Sequence, residues 1–149
     1  MTHFKKVMNK QLGELLIERG VINHEQLEMA IKYQSEKGGL IGEVLVELKF
    51  ASEEDIAQAL TCQYGFPYLP LANYEIDMQV INSVPENVCR QFCLIPIDRI
   101  GKSLTLAMAN PLNVQAIEDV ELITNCTVQA FVSTSTDIKN CVNKYYQSK

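Results

Sequence analysis

The 149 residues suit one domain or two small ones, and 47% hydrophobic with 21% charged residues is an ordinary globular composition. The chain has a net charge of −5, and residues 11–63 set four basic side chains (Arg19, Lys32, Lys37, Lys49) against ten acidic ones, a balance of −6 that argues against DNA as a partner. No apolar run approaches the roughly 20 residues of a membrane helix, and Met1–Lys10 lacks the core of a signal peptide, so the expectation is a cytoplasmic protein with no direct membrane insertion.

Residues 1–10 form a lead with three lysines. Residues 11–34 and 40–63 are then two copies of one 24-residue block, offset by 29 positions and separated by Ser35-Glu36-Lys37-Gly38-Gly39. Identical pairs include Gly13/Gly42, Glu14/Glu43, Leu16/Leu45, Glu18/Glu47, Ala30/Ala59 and Gln34/Gln63. So short a repeat cannot bury its apolar face alone, so the copies are expected to pack on each other. In the first copy, Leu12, Leu15 and Leu16 have helical spacing, Gly20 stops that helix, and Asn23 with Gln26 makes a capping box for the next. The second copy repeats the scheme with a helix over Ile41–Leu48, an inward turn at Phe50-Ala51 and an N-cap at Ser52. Residues 11–63 therefore read as two helical hairpins.

Residues 64–78 contain Tyr64-Gly65-Phe66-Pro67-Tyr68-Leu69-Pro70 and read as an extended, packed connector. Residues 79–149 change character. A short helix is predicted over Pro85–Phe92, strands over Cys93–Ile100 and Leu104–Ala109, and a tight turn at Gly101-Lys102. Asn110-Pro111 predicts a helix start, with the helix running to about Ile123. A third strand over Thr127–Val132 and a last helix, capped by Ser135 or Thr136 and ending near Tyr146, complete the order α-β-β-α-β-α. The crossover from the second to the third strand favours parallel pairing. The expected fold is α+β: a pair of helical hairpins followed by a small three-stranded α/β subdomain.

Five scattered cysteines argue against a disulfide framework and, without a second ligand pair, against a metal site. Gly101-Lys102-Ser103 lacks the earlier glycine of a phosphate-binding loop, since position 96 is proline. His24 has no nucleophile partner, and no carboxylate pair stands apart from the charged faces, so no enzyme and no cofactor are expected.

The doublet resembles that of the N-terminal domain of type II secretion and type IV pilus assembly ATPases. The resemblance rests on Gln11-Leu12-Gly13, Gly20-Val21-Ile22, Leu27, Ile31 and Gln34, matched by Leu40-Ile41-Gly42, Phe50-Ala51, Ile56, Leu60 and Gln63. Val84-Pro85-Glu86, Ile95-Pro96-Ile97, Ala107 to Asn113 and Lys144-Tyr145-Tyr146 extend it over nearly the whole chain. The resemblance implies a regulatory domain without the ATPase module, binding cyclic di-GMP and associated with secretion or pilus assembly proteins. It also implies the contact set: Gln11, Leu12, Gly13, Leu27, Ile31 and Gln34 from the first copy, and Ile41, Gly42, Ile56, Leu60 and Gln63 from the second. Two positions depart from the pattern: Gln11 stands where the family has a basic residue, and Lys49 where it has glycine. The alternative reading is a non-catalytic docking adaptor of the same machinery that has lost the nucleotide.

Overall fold

The computed structural model describes residues 11–146; the N-terminal lead at residues 1–10 lies outside them. The chain divides into two compact units between Tyr64 and Gly65.

In the first unit, residues 11–18 are helical (α1), followed by α2 (His24–Lys37), α3 (Ile41–Glu47) and α4 (Glu53–Tyr64). The repeat is reproduced down to single hydrogen bonds. α1 ends with the Gly20 N–H on the Ile17 carbonyl (2.9 Å) and the Val21 N–H on the Leu16 carbonyl (2.9 Å). α3 ends with Lys49 on Val46 and Phe50 on Leu45, both 3.0 Å. These are paired Schellman motifs, which need a left-handed residue at Gly20 (φ 76°) and Lys49 (φ 65°). The next helices start alike. Asn23 and Gln26 exchange bonds of 2.8 and 3.0 Å, and Ser52 and Asp55 exchange bonds of 3.0 and 3.2 Å.

Glycine adopts the left-handed conformation without the Cβ–carbonyl conflict that lysine meets there. Lys49→Gly is therefore expected to stabilise this unit by about 1 kcal/mol. Urea unfolding checks this, and a midpoint that stays put or falls contradicts it.

The second unit contains α5 (Met78–Ile81), α6 (Glu86–Phe92), β1 (Leu94–Ile100), β2 (Ser103–Met108), α7 (Val114–Thr124), β3 (Thr127–Val132) and α8 (Ser135–Tyr146). The sheet order is β1-β2-β3. β1 and β2 are antiparallel, from Leu94 opposite Met108 to Ile100 opposite Ser103, with the register shifting between Pro96 and Asp98. β3 pairs with β2 in parallel, as a right-handed crossover favours, from Ser103 beside Thr127 to Met108 beside Val132. Pro96 lacks an N–H, and β1 has only β2 as a neighbour, the edge position proline tolerates. Residues 67–69 run beside the end of β3: the Val132 N–H reaches the Pro67 carbonyl and the Leu69 N–H reaches the Val132 carbonyl, both at 2.9 Å. Leu71 and Ile76 are buried, so this aromatic-rich stretch is packed.

Three local starts differ from the sequence reading. Asn110 does not cap α7. Its Oδ1 accepts from the Leu112 N–H (3.1 Å) in a turn, and Asn113 caps the helix by accepting from the Ala116 N–H (3.1 Å). Two competing Asn signals three residues apart caused the error. α8 is capped by the Thr134 hydroxyl on the Asp137 N–H (3.3 Å), one residue before the expected Ser135. The four-residue α5, with Asp77 accepting from the Gln79 N–H (2.8 Å), is too short to leave a periodic pattern.

α6 ends at Phe92, and Cys93, expected to open the first strand, instead takes the left-handed cap at φ 54°. Burial pushes the Cys89 thiol up to about 11, so it is neutral and unreactive near neutral pH.

Candidate functional site

The first unit carries every residue of the expected contact set, and the two copies hold their shares differently. Leu12 is fully buried, Ile41 is buried, and Gln11 is exposed. Leu12 reaches across to the second copy: its Cδ2 lies 3.7 Å from the position a Cβ on Gly42 would occupy. Tyr33, from the first copy, donates its hydroxyl to the Glu47 carboxylate of the second, and this bond holds the phenol above its usual pKa. The copies thus pack on each other through both apolar and polar contacts.

The two motif glycines have different jobs. A Cβ on Gly13 would stand 2.5 and 2.7 Å from the Leu27 methyls, so glycine there lets α1 and α2 close. A Cβ on Gly42 would meet Ile56 Cδ1 and Leu12 Cδ2 at 3.7 Å each, which is ordinary contact. Glycine is a poorer helix former than alanine. Packing at Gly42, in the first turn of α3, gives no reason for glycine there, and Gly42 is partly exposed.

The apolar faces also diverge. On α4, Ile56 is 7% and Leu60 0% exposed. On α2, Leu27 is half-buried and Ile31, the counterpart of Leu60, is 39% exposed. The flanking residues explain this: Glu28 and Lys32 on α2 correspond to Ala57 and Thr61 on α4. Charged neighbours must stay wet, whereas small ones let α4 sink into the core. Those pairs were visible in the sequence and are the signal that could have separated the two faces.

The closing glutamines differ most. Gln34 is 4% exposed, and its Nε2 donates to the Gly39 carbonyl at 2.9 Å, fastening the spacer to α2. Gln63 is exposed near the end of α4. The described surface of this unit therefore offers an open apolar strip at Leu27 and Ile31, a bare helix start at Gly42 and a free-standing amide at Gln63. Such a set can take flat aromatic faces and hydrogen-bonding edges. No helix among the described residues is long and apolar enough to cross a membrane.

The family model of the MshEN domain matches residues 64–149, the part beyond the doublet. A type IV pilus assembly ATPase PilB of Myxococcus xanthus is 31% identical over 142 residues, covering 95% of this chain and 25% of the relative. The PilB of Thermus thermophilus is 30% identical over 140 residues, covering 93% of this chain and 16% of the relative. The chain thus spans a quarter or less of these two relatives. Among solved structures, MshE with cdg shares 27% identity at a TM-score of 0.67, covering 91% of this chain and 98% of that one. The N-terminal domain of XpsE, at 22% identity, matches with a TM-score of 0.74 over 93% of this chain and 95% of that one, which speaks for the fold.

Proposed function

The chain belongs to the MshEN domain family, and from that premise we propose that it is a regulatory domain that binds cyclic di-GMP through its two 24-residue motifs. It serves a type IV pilus or type II secretion assembly and performs no catalysis of its own. The observation that carries this reading is Gly42: a partly exposed helical glycine whose position packing does not require, in the same unit as the open strip of Leu27 and Ile31. The similarity to MshE, solved with cdg, supports the same ligand. In this reading Leu27 and Ile31 pack on a guanine face, Gly42 lets backbone approach the ligand, and Gln63 reaches a base edge or phosphate. Gln11, Leu12, Gly13, Gln34, Ile41, Ile56 and Leu60 complete or support the surface.

Calorimetric titration with cyclic di-GMP at moderate salt tests it, with saturable heat as the expected result. Gly42→Ala separates fold from function. It is expected to leave stability unchanged or slightly raised, since Gly42 stands in the first turn of α3, short of the helix interior where glycine costs most, while weakening binding at least about tenfold, since about 1.4 kcal/mol of lost contact suffices. Gln63→Ala is expected to leave stability within about 0.5 kcal/mol and to weaken binding roughly two- to tenfold. Absence of heat with the wild-type chain, or unchanged affinity in the folded Gly42→Ala variant, overturns the reading.

One observation favours the alternative of a protein-docking adaptor. In the second unit, Leu122 on α7 is 83% exposed, with Val114 and Ile123 also exposed on that helix and Ile100 at the end of β1. Pull-down with intact pilus or secretion components, with and without Leu122→Asp, tests it: capture abolished by the substitution supports docking.

A further inference from the structure

In the second unit α6 and α8 pack together, yet the seam between them is not filled. Cys89 and Cys93 from one side and Ile138 and Val142 from the other enclose a hollow of about 150 Å³. All four residues are buried. Three of them are short: two cysteines and a valine stand where longer side chains would close the gap to normal interior density. The Cys89 thiol is neutral, so it serves as a small apolar wall. Its sulfur lies 3.5 Å from the Tyr146 hydroxyl, and the Cys93 sulfur lies 4.0 Å from the Ser135 carbonyl, so both thiols are held in place.

The mouth has the opposite character. Arg90, Lys139 and Asn143 complete the lining, and all three are exposed. Lys139 and Asn143 stand one turn apart on α8. Among the described residues that line the hollow none is acidic, although residues 65–149 hold eight acidic side chains against six basic ones. Two of those six cations therefore converge on one cavity in an acidic unit. Arg90 Nε meets the Glu86 carboxylate at 2.8 Å in an exposed pair of small worth. The two terminal nitrogens of its fork can take a second carboxylate. We propose that this hollow binds a small organic monoanion, with an apolar body between α6 and α8 and a carboxylate held at the rim by Arg90, Lys139 and Asn143. The volume sets the size of the body, since a dry cavity of about 150 Å³ holds one benzene ring. The apolar walls select against inorganic phosphate, which has nothing to bury there and more charge to desolvate. The site lies outside the duplicated motifs and does not depend on the cyclic di-GMP reading.

Titration of the full chain with benzoate, followed by backbone amide chemical shifts, tests the proposal. The expected result is saturable shifts at Arg90, Cys93, Lys139 and Asn143, without comparable shifts across residues 11–63, and a Kd on the order of 0.1–1 mM for so small a ligand. Benzyl alcohol has the ring without the charge, and inorganic phosphate has charge without the ring. Each is expected to bind at least about fivefold more weakly than benzoate. Arg90→Gln, at an exposed position, is expected to fold normally and to weaken benzoate about three- to tenfold while leaving benzyl alcohol unaffected. Val142→Phe is expected to fill the hollow and abolish binding of both; where that variant fails to fold, the Arg90 contrast still decides. Shifts that centre elsewhere, no saturation below about 10 mM, phosphate or benzyl alcohol matching benzoate, or an affinity untouched by Arg90→Gln overturns the proposal.

Discussion

Leu60→Ala is expected to destabilise the first unit by about 2–5 kcal/mol, while the matching change Ile31→Ala costs under about 1 kcal/mol. Leu60 is completely buried on α4, so truncation removes methyl groups from close-packed surroundings and leaves a cavity. Ile31 already stands partly in water, so shortening it opens no void. Urea unfolding of both variants measures the contrast. Equal losses would mean that the two copies contribute equally to the core, and the assignment of Ile31 to an outward-facing strip would fail. If Ile31→Ala is nearly silent in stability yet weakens cyclic di-GMP binding several-fold, the strip has a use other than packing.

Tyr146→Phe is expected to destabilise the second unit by about 2 kcal/mol, a fall in Tm of roughly 10 °C for a unit of this size. The hydroxyl is buried, 2.8 Å from the carbonyls of both Ile81 and Val84, and 3.5 Å from the Cys89 sulfur. Its one hydrogen is shared between the two carbonyls. Without it, Ile81 keeps only a long 3.4 Å bond from the Val84 N–H, and a buried acceptor without a donor is costly. Burial also raises the pKa of both Tyr146 and Cys89. A neutral group whose folded pKa lies above its unfolded value adds stability at low pH and loses it as pH rises. For Cys89 the window runs from about 9 to about 11, so the wild-type unit should weaken there. Thermal scans across this range check the trend, and a flat profile contradicts it.

Both predictions bear on what a linear chain reveals. The doublet was legible because identical residues recur at one offset, and their capping bonds recur with them. The strands and their pairing sense followed from short apolar runs, a glycine turn and a crossover of helical length. Divergence between the copies was harder to see. It lies in the flanking pairs Glu28/Ala57 and Lys32/Thr61, which matter only once the helices are known to bury different shares of their circumference. The distinct settings of Gln34 and Gln63 were hidden, because the bond from Gln34 to Gly39 depends on how the spacer folds back. The closing Tyr145-Tyr146 pair read only as a family resemblance. Its physical meaning needed the partners some 60–70 residues upstream: Tyr145 takes the Ile76 N–H at 2.9 Å and gives its own hydrogen to the Tyr74 carbonyl at 3.3 Å.

Those tyrosine tethers have a consequence for the order in which the molecule is born. The helical hairpins close over near neighbours in the chain, so the leading half can mature while the ribosome is still at work. The trailing half waits for residue 146, whose ring fastens the segment around Ile81 and Val84. Until that residue clears the exit tunnel, buried surfaces such as Ile81 and Cys89 stay bare, and a nascent chain stalled short of it would be a natural client for chaperones.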